Sequence, residues 1–109
     1  MTAETARLLD RIRLQDGTHQ DDLPFLERTL AQLFTQLGGR FDASQVDIAI
    51  RIKDRDKPGM RTSLELIVHG LPPMIGTSHL TDTKDAVNDA EAKVISQLQT
   101  AVDRRSERH

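Results

Sequence analysis

Residues 46–69 read VDIAIRIKDRDKPGMRTSLELIVH, two apolar alternations folded back around one turn. Val46, Ile48, Ile50 and Ile52 recur at the strand period of two, with Asp47, Ala49, Arg51 and Lys53 between them. Such a strand has one face on a core and one toward water. Pro58 and Gly59 supply the reversal, and Leu64, Leu66 and Val68 return on one face. A hairpin of this kind is marginal alone, so the rest of the chain must supply a layer to cover its apolar side.

Two amphipathic helices are available for that layer. In GTHQDDLPFLERTLAQLFTQLGGRFD, residues 17–42, Asp21 or Asp22 can act as N-cap and Pro24 fits the first turn. Leu26, Leu30, Leu33, Phe34 and Leu37 then form one stripe, and Gly38-Gly39 can end the helix in the left-handed conformation. The second helix opens at Thr81 or Asp82 and carries Ala86, Val87, Ala90, Val94, Leu98 and Val102 at spacings of three and four. Arg104, Arg105 and Arg108 stand near its negative end, where the helix dipole favours them.

RIRLQ at residues 11–15 alternates like a short strand, and MIGTSHL at 74–80 is a weaker third run after the hairpin, with Gly76 as a bulge. The order is strand, helix, three strands, helix. It predicts an α+β fold: a two-layer βαβββα domain with a four-stranded, mainly antiparallel sheet, two helices packed on one face and the other face open. A chain of 109 residues suffices for one core that buries roughly 65% of the unfolded surface. Residues 1–10 read as a flexible polar lead-in, 11–105 as the domain and 106–109 as a short tail.

Several chemistries lack their residues. There is no cysteine, so disulfides and thiolate sites are excluded. No segment has the apolar run of about 20 residues that a membrane span needs, and a cytoplasmic location is expected. The four histidines, His19, His69, His79 and His109, show no metal-ligand spacing. The serines and threonines of TSL and GTSHL lie in strand-like runs without a nucleophile elbow. Asp82, Asp85, Asp89 and Glu91 read as capping and solvated helix positions rather than an oxygen-ligand loop. GLPPMIG lacks the phosphate-cradling pattern. The expectation is a protein without metal or cofactor and without catalytic activity.

Charge points elsewhere. The net charge of −2 gives no global attraction for nucleic acid, and aromatics at 3% leave few rings to stack on bases. Residues 40–61, however, hold six basic side chains (Arg40, Arg51, Lys53, Arg55, Lys57, Arg61) against Asp42, Asp47, Asp54 and Asp56. A hairpin bearing Lys53, Arg55, Lys57 and Arg61 can enter a phosphate-rich groove. The alternative is a charged hairpin that protects strand edges from pairing.

Element order and particular residues together resemble the small ribosome hibernation-promoting and ribosome-associated inhibitor family of bacteria. The likeness covers roughly residues 11–105. Gly17 and His19 fall on the family's turn after the first strand, Leu26, Leu30, Phe34 and Leu37 on its first-helix stripe, and Phe41-Asp42 before its second strand. Asp82, Ala86, Val87, Lys93, Gln97 and Leu98 fall in register with its second helix. The resemblance implies binding to the small ribosomal subunit and its 16S rRNA in the mRNA and tRNA path, silencing translation in stress or stationary phase. It implies no cofactor and no catalysis, and it implies rRNA contacts at Lys93, Arg104 and His19. Leu33, Gln36, Gly39, Ser96 and Thr100 depart from the family by standing where Lys or Arg is common, and Lys84 replaces an aromatic.

Two readings follow from those departures. Either the cationic contacts have moved to the hairpin and the C-terminal arginines, or the fold persists without ribosome binding. In the second case a protein-interaction role fits, with a homodimer through the open sheet face, where Ile67 and Ile75 can point away from the helices. A double-stranded-RNA-binding domain shares much of the element order, but Asp82 and Asp85 stand where such domains present lysines.

Overall fold

Val46, Ile48, Ile50 and Ile52 are all buried, and Leu64, Leu66 and Val68 face them across the hairpin. The computed structural model describes residues 3–107; Met1, Thr2, Arg108 and His109 lie outside that range, so the place expected for Arg108 does too. Helix α1 spans Ala3–Leu9, strand β1 Ile12–Leu14, helix α2 Leu23–Thr29 and helix α3 Ala31–Gly38. Strands β2, β3 and β4 span Val46–Lys53, Arg61–Val68 and Met74–Ser78, and helix α4 spans Thr83–Glu107.

The sheet runs in the order β1-β2-β3-β4. Strand β1 lies parallel to β2, Ile12 beside Ile48, because the helical connection between them returns the chain to its starting end. The other two pairings are antiparallel. Leu26, Leu30, Leu33 and Leu37 from α2 and α3, with Val87, Ala90, Val94 and Leu98 from α4, join the apolar strand face in one core. The architecture is the expected α+β sheet with helices covering one face.

Four local features differ from expectation. Residues 3–9 form a helix in place of a flexible lead-in, because Leu8 is buried against the main core. The first long helix is broken at Leu30 (φ −97°, ψ 17°) into α2 and α3. Gly39 ends α3 at φ −90° rather than in the left-handed region, and at Gly38 a Cβ would press on the Glu4 side chain of α1. Gly76 is no bulge: it pairs in register with Leu64, and α4 lies so close that a Cβ would meet the Ala90 carbonyl.

The break at Leu30 has a partner in α4. The Leu33 N–H, freed at the new helix start, donates to the Glu91 carboxylate at 3.1 Å, and Glu91 is 4% exposed. Glu91 is therefore not on a solvated face; it caps α3 from another helix. Burial pushes its carboxyl above the usual range, partly offset by the Leu33 hydrogen bond. With the folded value raised, its contribution to stability is full below pH 4.5 and is lost as pH rises through the folded value. Glu91→Gln keeps an acceptor and removes the buried charge, so it should raise stability at pH 7 and flatten the pH profile. Glu91→Leu orphans the N–H and should cost about 1–3 kcal/mol in urea titration. The buried Thr62 hydroxyl has no hydrogen-bond partner among the described residues, and Thr62→Val should raise stability by about 1 kcal/mol.

Candidate nucleic-acid interface

The open sheet face carries the charge. Because β2 buries its even-numbered residues, Arg51 and Lys53 point outward, and the register places Lys53 directly opposite Arg61 on β3. Arg51 faces Ser63, one step along, so the three cations form a triangle at the hairpin end of the sheet. All three are exposed and none forms an ion pair with a described residue. Two unit charges about 5 Å apart in a water-like surround repel by about 1 kcal/mol. The other end of this face differs: Arg11 pairs with Asp47 at 3.2 Å and Arg13 with Glu65 at 3.9 Å.

A fixed turn supports the triangle. Asp54 and Asp56 adopt left-handed φ values of 53° and 64°, which aspartate tolerates better than most residues, and Gly59 takes 84°. The Lys57 N–H donates to the Asp54 carbonyl at 3.0 Å and the Met60 N–H to the Lys57 carbonyl at 3.2 Å. Met60 is buried with Ile52 and Ala86 and pins the turn to the domain. Lys57 is exposed on this turn beside exposed Asp54 and Asp56. The positive surface thus lies on the strand ends rather than at the tip.

Arg55 has another task. Its guanidinium grips Asp22 through two hydrogen bonds of 2.9 and 3.0 Å and donates to the Gly17 carbonyl at 3.0 Å. It straps the hairpin to the loop after β1, and is not the free phosphate contact expected of it. The Arg55 hydrogen bond, ahead of that from the His19 N–H, holds the Asp22 carboxyl below its usual range. A lowered folded value means stability present above pH 3.8 and lost as pH falls through the folded value. Arg55→Ala should cost about 1–2 kcal/mol and remove this acid limb in a denaturation series across pH 2–6. Asp22 also does not cap α2 through its side chain, because its carboxylate is already engaged.

The remaining expected contacts are dispersed. His19 is exposed, three residues from Asp22 and at the hairpin corner. Lys93 donates to the Thr77 carbonyl at 2.6 Å and pairs with Asp89 at 3.3 Å, so it lies along the edge of β4. Arg104 is exposed near the end of α4, beside the loop from Gly70 to Pro73, at the end of the domain away from the hairpin. The depression between α3 and α4 is lined by Ala31, Gln32, Thr35, Gln36, Ile95 and Gln99, without an ionised group.

Comparison with family models, curated proteins and solved structures gives no match for this chain.

Arg51 is the third exposed cation of the triangle. It was legible, since strict alternation from Val46 places it on the same face as Lys53. Among the described residues no group of three His, Asp or Glu side chains is arranged to hold a metal, and no helix is long and apolar enough to cross a membrane.

Proposed function

We propose that this chain binds 16S rRNA of the small ribosomal subunit through the hairpin end of its open sheet face. Bound there, it occupies the mRNA and tRNA path and silences translation. The observation that carries this reading is the triangle of Arg51, Lys53 and Arg61 without acidic partners among the described residues. A fold that carries uncompensated like charges on adjacent strands is suited to a polyanion that neutralises them. Lys57 and His19 extend the same corner. The resemblance supplies the ribosome as the source of the phosphates, and the sheet of β1 to β4 with helices on one face is compatible with it, α1 and the break between α2 and α3 being additions to the βαβββα order.

The proposal makes the ligand's occupancy exclusive. Vacant 70S particles should bind the full chain, and particles preloaded with mRNA and initiator tRNA should not. Equal binding to both would remove the occlusion mechanism. A second reading, a homodimer across the open face, draws on Ile75, which is 51% exposed. The three cations weigh against it, because the acids of that face, Asp47 and Glu65, already pair with Arg11 and Arg13. Sedimentation equilibrium over a hundredfold concentration range separates the two readings.

A further inference from the structure

A second site lies at the opposite end of the domain. A concavity of about 490 Å³ opens between the loop before β4 and the last turns of α4. Its apolar wall is Leu71, Pro72, Pro73 and Met74, and Arg104 and Arg105 stand on the helical side. Among residues 3–105 no acidic side chain lines it, and neither arginine forms an ion pair with a side chain in that range. The wall is stiff: two successive prolines fix its backbone, Gly70 turns at φ 90°, and the Leu71 N–H is held by the Val68 carbonyl at 2.9 Å.

The groove borders the outer edge of β4, and that edge is occupied in an unusual way. The Gln97 side-chain amide accepts from the Ile75 N–H at 2.9 Å and donates to the Ile75 carbonyl at 2.7 Å. Those are the two bonds that a residue of a neighbouring antiparallel strand would exchange with Ile75. One turn earlier on α4, Lys93 holds the next outward carbonyl, that of Thr77. A second copy of this chain cannot replace them by pairing β4 with β4. The backbone of α4 passes directly over Gly76, so two such helices would be brought to about one strand spacing, roughly 5 Å, where helices need 8–10 Å. A strand without a helix of its own meets no such obstacle.

We infer that this groove and the β4 edge form a docking site for an extended acidic peptide segment with an apolar side chain. Its carboxylates meet Arg104 and Arg105, its apolar group lies on Leu71 and Met74, and its backbone takes over the Ile75 bonds that Gln97 holds. Gln97 is then a competitor as well as a lining residue.

The test uses the isotope-labelled full chain and a capped ten-residue peptide of alternating leucine and glutamate. Two controls replace leucine by serine or glutamate by lysine. Saturable binding should shift the Ile75 amide resonance. Arg104→Glu with Arg105→Glu should weaken binding at least about tenfold, whereas Gln97→Ala should strengthen it severalfold by freeing the edge. The proposal is overturned if the serine peptide binds as well as the leucine peptide, or if Gln97→Ala leaves affinity unchanged. Displacement of the peptide by laurate would assign the groove to a lipid, and groove resonances that move with protein concentration would assign it to self-association; either overturns the peptide assignment.

Discussion

Gly76→Ala should lower stability by about 2–3 kcal/mol, a fall in melting temperature of roughly 10–20 °C for a domain of this size. The cause is backbone against backbone. A Cβ at position 76 points at the Ala90 carbonyl oxygen and at the Val94 side chain, 3.1 Å away, and neither a sheet strand nor the middle of a 25-residue helix can shift alone. Alanine must lift α4, which opens the packing of Val87, Ala90, Val94 and Leu98 on the sheet. Gly39→Ala is the control: its φ is −90° and no described residue lies within 4 Å of the added carbon. That change should be neutral or stabilising by up to about 1 kcal/mol through the unfolded chain. Equal effects at both positions would contradict the close-approach account.

Replacing Arg51, Lys53 and Arg61 together by threonine should move stability and RNA affinity in opposite directions. Lys53 and Arg61 are direct cross-strand neighbours, so neutral β-branched residues there relieve repulsion and suit the strand, for a gain of about 0.5–1 kcal/mol in urea titration. The same change removes the three phosphate contacts of the proposed interface. Affinity for 16S rRNA should fall at least tenfold at moderate salt, and the slope of log K against log salt should become shallower by about 2–3. A purely structural role for these side chains predicts no change in that slope. Arg55→Ala provides the contrast, because its guanidinium is spent on Asp22. It should lose stability with little change in the salt slope.

The period-two pattern made β2 and β3 readable, and the leucine stripe likewise exposed the core side of α2 and α3, whereas the short run of β4 did not reveal which of its faces is buried. Three things were hidden for a physical reason. The helix start after Leu30 is capped at Leu33 by a carboxylate 58 residues further along the chain, which no local propensity encodes. The role of Gly76 depends on how near α4 lies, and a glycine in a strand reads equally as a bulge or as a close approach. The Leu8-Leu9 pair was too short to announce α1. At the interface, composition found the cations but not their partners: Arg55 and Lys53 are two residues apart, yet the left-handed Asp54 turns one inward to Asp22 and leaves the other on the open face.

Stability at the hairpin thus runs through Arg55 and Asp22, and the proposed binding runs through Arg51, Lys53, Lys57 and Arg61. The most direct test is co-sedimentation of the full chain with vacant 70S ribosomes through a sucrose cushion at low and moderate salt, beside a variant with all four of those cations changed to glutamate. The account predicts that the wild-type chain pellets with the ribosomes, less so as salt rises, and that the variant stays in the supernatant. Co-pelleting of both alike, or of neither, would contradict it.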